Sequence, residues 1–122
     1  MKILQKTFKA NSIIFKQGDL GTEMFVVAAG IVEIYAINDG VPTTIATIAS
    51  GEIFGEMALV ASGQRRSAFA KAVSDTELIC INESHFVYLV SQQPAFALSI
   101  LRTMATRITK LNEAMNALSK GE

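Results

Sequence analysis

The chain has 122 residues, half of them apolar, and its 11 basic and 11 acidic side chains cancel to a formal net charge of zero. A chain of this length is one domain able to bury a self-sufficient core, and the zero balance argues against nucleic acid as a bulk electrostatic partner. The single cysteine, Cys80, allows no internal disulfide; no apolar run reaches the ~18 residues of a membrane span, no signal-peptide pattern opens the chain, and the expected compartment is a reducing cytoplasm.

Residues 1–7 read as a frayed start or first strand. Phe8 to Phe15 carries β-type residues with a turn at Asn11-Ser12. Gln17-Gly18-Asp19-Leu20-Gly21 is a turn cluster. Met24 to Ala29 is an apolar strand, Gly30 punctuates it, and Ile31 to Ile37 resumes in alternation. Asn38-Asp39-Gly40 signals a hairpin, with Thr43 to Ile48 as the returning strand. Ser50-Gly51 turns the chain into the short run Ile53-Phe54. Further on, Ala68 to Val73 and Glu77 to Asn82 are two strands joined near Ser74-Asp75. Short strands at regular spacing predict a mainly β fold, a jelly-roll barrel (double-stranded β-helix) over about 3–82.

At Asn82 the hydrophobic period changes from strand to helix. Asn82 suits an N-cap, and Phe86, Leu89 and Val90 form an apolar stripe ending near Gln92. Pro94 suits the first turn of a second helix, which runs to about Ser119, so helices occupy about 83–119 of a single domain spanning 1–122. At ~1.5 Å per residue this helix is nearly 40 Å long. Ala97, Leu101, Met104, Ile108, Leu111, Met115 and Leu118 alternate at spacings of four and three, an unbroken a/d seam. It either packs on its own barrel or pairs with a second copy. The seam extends beyond what a small barrel covers, which favours a homodimer.

The stretch Phe54-Gly55-Glu56-Met57-Ala58-Leu59-Val60, followed by Gln64-Arg65-Arg66-Ser67-Ala68, carries the chemistry. An apolar strand stops at Gly55 and a helical turn can start at Glu56. The first amides of such a turn have no partner inside it and point outward, toward an anion. Arg66 can grip two oxygens of one phosphate, and the Ser67 hydroxyl can add a contact. Glu56 is out of place beside a phosphate unless it accepts a hydrogen bond from a sugar hydroxyl. Taken singly, Arg66 reads as a surface cation, Glu56 as a charge favoured by the helix dipole, and Arg65 as solvated.

Phe54 to Leu59 followed by Arg66-Ser67-Ala68 resembles the phosphate-binding cassette of the cyclic nucleotide-binding domain family. Ile14-Phe15-Lys16-Gln17-Gly18-Asp19, Met24 to Val27 and Gly30-Ile31-Val32 resemble that family's early strands and turns, and the likeness covers roughly Phe8 to Asn112. The resemblance implies a barrel with a cassette helix and a long C-terminal helix. It implies that Glu56 binds the ribose 2′-OH, Arg66 the cyclic phosphate with Ser67 beside it, and that the Met57 and Ala58 amides complete the cradle. Phe54, Gly55 and Ala68 frame this site. Threonine after the arginine is associated in the family with cyclic GMP; Ser67 points to cyclic AMP. Arg107 is either a surface cation or reaches Glu56 or the ligand. Leu111 and Asn112 fall where a family member uses hydroxyl side chains on the base; Asn112 either reads a purine edge or sits at the dimer rim.

The expected protein is therefore a sensor of cyclic AMP or cyclic GMP, without metal or other cofactor, dimeric through its last helix. The chain ends where some family members begin a DNA-reading domain, so the expectation is a stand-alone regulatory domain acting through an unknown downstream protein, or a sequestering protein, with a fragment of a longer chain as the other reading. The alternative is a ligand-free dimerisation module of the same fold. An enzyme is disfavoured: a metal centre needs several converging histidines and carboxylates and an iron–sulfur sensor about four cysteines, against one histidine, His85, and one cysteine.

Overall fold

A computed structural model of the chain describes residues 4–60 and 65–120. The chain divides into two compact units, Met1–Phe86 and Val87–Glu122.

Among the described residues of the first unit, eight strands form two antiparallel sheets. They are β1 (Leu4–Phe8), β2 (Ile13–Phe15), β3 (Glu23–Ala29), β4 (Val32–Asn38), β5 (Val41–Ile48), β6 (Ile53–Phe54), β7 (Phe69–Ala72) and β8 (Thr76–Asn82). One sheet has the order β1-β8-β3-β6 and the other β2-β7-β4-β5. The predicted β-rich jelly-roll is thus present, built from strands that leave one sheet for the other at turns.

The turns follow from local chemistry. Asp39 and Gly40 both take positive φ, 52° and 78°, which closes β4 onto β5 with Asn38 opposite Val41. The returning strand therefore starts at Val41, two residues before the apolar pattern suggests. The first turn centres on Asn11, which adopts φ 72°, and Ser12 N–H donates to the Lys9 carbonyl. Asparagine tolerates that left-handed backbone better than other side chains.

The core draws on both sheets. Phe25, Phe54, Val27, Leu78 and Cys80 from one meet Val32, Ile48 and Ala70 from the other. Full burial of each large side chain here contributes roughly 1.5–3 kcal/mol. Phe15, Phe25 and Phe54 form an aromatic triad, with centroids 5.0 to 6.2 Å apart. This triad is the floor of the site described below.

After β6 comes a single-turn helix α1 (Met57–Val60), and after β8 come α2 (Glu83–Gln92) and α3 (Pro94–Lys120). Asn82 caps α2 as expected: its Oδ1 accepts from the His85 amide at 2.8 Å. In α3 the seam residues Leu101, Ile108, Leu111, Met115 and Leu118 are each at least 59% exposed, while Ala97 and Met104 are half-buried. No described helix is long and apolar enough to cross a membrane.

Candidate functional site

The site begins where β6 ends. Phe54 is buried in the core, and Gly55 follows at φ 74°. That backbone turns the chain away from the sheet and into α1, a conformation side chains other than glycine resist. Glu56 is then only 4% exposed, a carboxylate held in the turn rather than on the surface. Met57 is exposed; Ala58 and Leu59 are half-buried. The Ala58 amide donates to the Gly55 carbonyl over 3.3 Å, and the Leu59 amide to the Glu56 carbonyl over 3.0 Å.

Arg66 reaches this turn from the other side. Its backbone is fixed by the loop between β2 and β3. Arg66 N–H donates to the Asp19 carbonyl (2.7 Å), and its own carbonyl accepts from Gly18 N–H (2.8 Å). Arg65, next to it, bridges to Leu20 and donates from Nη1 to the Gly18 carbonyl at 2.9 Å, so it is engaged rather than merely solvated. Ser67 is exposed and Ala68 buried. Val60 ends α1, and Gln64 lies outside the described residues.

The Arg66 side chain is half-buried and points inward. Nη1 donates to the Gly55 carbonyl at 3.1 Å and Nη2 to the Glu23 carbonyl at 2.7 Å. The guanidinium carbon lies 4.3 Å from the Phe15 centroid and 5.6 Å from that of Phe25. Among the described residues Arg66 forms no ion pair. Burial pushes the guanidinium below its ordinary value, against the opposing pull of Glu23 and Asp19. An arginine stays charged in such surroundings. The result is a half-buried cation anchored on neutral carbonyls and rings, with Glu23 and Asp19 acting on it without forming an ion pair.

The structure therefore brings Phe54, Gly55, Glu56, Met57, Ala58, Arg66, Ser67 and Ala68 into one neighbourhood of the first unit. Arg107, Leu111 and Asn112 lie on α3 in the second unit, all three exposed. Sequence reasoning left Phe15 as a strand residue and Gly21 as a turn residue. Both touch Arg66 or limit its space. Their signal is not in local pattern, because it depends on the β2–β3 loop docking against Arg65 and Arg66.

The family profile "Cyclic nucleotide-binding domain" matches residues 5–93, most of the chain. The chain belongs to the cyclic nucleotide-binding domain family. Among its relatives, the "Cyclic AMP receptor protein" of Thermus thermophilus is 36% identical over 107 residues, 87% of this chain and 49% of that protein. The "cAMP-dependent protein kinase regulatory subunit" of Dictyostelium discoideum is 34% identical over 94 residues, 76% of this chain and 28% of that protein. The chain thus spans about half the length of the first relative and under a third of the second. The crystal structure of the Thermus thermophilus Catabolite Activator Protein superposes with a TM-score of 0.86 at 32% identity, covering 96% of this chain and 55% of that one. The family and the fold expected from the cassette are both found.

Proposed function

We propose that this domain binds a cyclic nucleotide at the β6–α1 turn and prefers cyclic AMP to cyclic GMP. The observation that carries the reading is Arg66: a half-buried cation tied to the Gly55 carbonyl and lacking an ion pair among the described residues. A cyclic phosphodiester supplies one negative charge on paired oxygens, which a guanidinium fork matches. Ser67 adds a hydroxyl beside it. Glu56, buried at the same turn, supplies an acceptor for the ribose 2′-OH. The base preference rests on Ser67 and on relatives whose names specify cyclic AMP.

The role is regulatory rather than catalytic: ligand occupancy is the signal that a partner protein reads. The exposed seam of α3 supports a homodimer through that helix. A single buried cysteine fits a cytoplasmic setting.

Titration calorimetry with both nucleotides tests the reading. Cyclic AMP is expected to bind more tightly than cyclic GMP. Equal or reversed affinities overturn the base preference. Absence of heat and of any thermal shift with either nucleotide overturns ligand binding and leaves an interaction module.

A further inference from the structure

We propose that Phe15 and Gly21 form a slot that aims the Arg66 guanidinium at its anion, which makes both of them positioning residues for the ligand. This rests on the phosphate role given to Arg66 above.

Gly21 carries the inference. A Cβ built there would lie 2.3 Å from Arg66 Nε, 2.4 Å from its Cζ and 2.9 Å from Nη2. Its three nearest neighbours all belong to this one side chain. The φ of Gly21 is not positive, so no left-handed backbone calls for glycine there. What keeps a side chain out at this position is the arginine lying across it. Phe15 supplies the other wall, its ring centroid 4.3 Å from the guanidinium carbon. Stacking on a ring favours Arg over Lys and restricts the plane of the fork.

Two carbonyl bonds alone leave the guanidinium free to tilt. The ring and the bare glycine remove that freedom, so the remaining N–H groups point one way before a ligand arrives. Preset donors lose less entropy on binding. A cavity of about 210 Å³ borders the slot and is lined by Phe15, Gly21 and Arg66, with Asp19 and Glu23 also on its wall. A guanidinium pushed from the slot has that space to enter and two carboxylates near it. Displacement gives up two carbonyl bonds and the ring contact, so it lowers stability modestly and costs the ligand more.

The test uses the full chain carrying Gly21→Ala, Phe15→Leu or Phe15→Tyr, each followed by cyclic AMP calorimetry, thermal unfolding and the NMR resonance of Arg66 Nε–H. Gly21→Ala is expected to stay folded with a modestly lowered unfolding midpoint, move the Nε–H resonance, and lose affinity on the order of tenfold. Phe15→Leu is expected to lose a similar factor, and Phe15→Tyr, which keeps the ring, to retain affinity. In an Arg66→Lys background the Gly21→Ala change is expected to have no further effect, whereas a purely structural role would add to it. A folded Gly21→Ala protein with wild-type affinity overturns the slot; if Phe15→Leu does not fold, Gly21→Ala alone decides. Arg66→Ala separates the two levels. Wild-type affinity in that variant removes the phosphate role itself, whereas lost affinity beside an unaffected Gly21→Ala removes only the slot.

Discussion

The Nη1 group of Arg66 donates to the carbonyl of Gly55 across 3.1 Å, joining two residues eleven positions apart in sequence. That carbonyl also accepts the Ala58 amide at 3.3 Å. The turn that starts α1 and the cation beside it therefore share one acceptor, and a change at either is felt by the other.

Gly55→Ala and Gly40→Ala separate backbone strain from loss of this contact. Both glycines have left-handed φ, 74° and 78°. A side chain at Gly40 meets nothing within 4 Å, whereas one at Gly55 lies 2.8 Å from Arg66 Nη1 and 3.4 Å from the Phe25 ring. Each substitution is expected to cost roughly 1–2 kcal/mol of stability from the backbone alone. Only Gly55→Ala is expected to weaken cyclic AMP binding as well. Urea unfolding and calorimetry on both variants read the two effects separately.

The α3 seam yields a second expectation. Leu101, Ile108, Leu111, Met115 and Leu118 repeat at a/d spacing and stand exposed in the single chain. The wild-type protein is expected to sediment as a dimer at micromolar concentration, and Ile108→Glu as a monomer, because two facing carboxylates are forced into an apolar contact. A wild-type monomer at high micromolar concentration contradicts the pairing.

Cys80 gives a pH-dependent prediction. It is 1% exposed, and burial, aided by Glu23 and opposed by Lys6, pushes its thiol above its ordinary value. The folded state thus favours the protonated form. Its contribution is intact below the unfolded thiol value of about 8.5 and is lost as pH rises past that toward the folded value. The wild-type urea midpoint is expected to fall more steeply above that pH than the midpoint of Cys80→Ala. Alkylation of the native thiol is expected only at the rate of unfolding. Equal alkaline slopes in the two proteins contradict this account.

The strands, the Asp39-Gly40 hairpin, the Asn82 cap and the length of α3 were legible because each depends on residues adjacent or one turn apart. The family was legible too, through the resemblance carried by Gly55, Glu56, Arg66 and Ser67, and the profile match over residues 5–93 agrees with it. The arginine's surroundings were not. Phe15, Gly21 and the Glu23 carbonyl reach Arg66 only after two sheets pack and a loop docks, and no local period encodes that. The β5 start was misjudged by two residues because Val41 and Pro42 break the alternation, while the turn geometry at Asp39 and Gly40 sets the register.

The central claim is that Arg66 holds the phosphate of a cyclic nucleotide beside the Gly55-Glu56 turn. The most direct measurement is parallel calorimetric titration of wild-type, Arg66→Ala and Arg66→Lys protein with cyclic AMP, each checked for folding by thermal unfolding. Charged hydrogen bonds contribute about 1.5–3 kcal/mol each, so Arg66→Ala is expected to lose on the order of a hundredfold in affinity, and Arg66→Lys to recover only part because an ammonium is not a planar fork. A folded Arg66→Ala protein that binds cyclic AMP as tightly as wild type contradicts the claim.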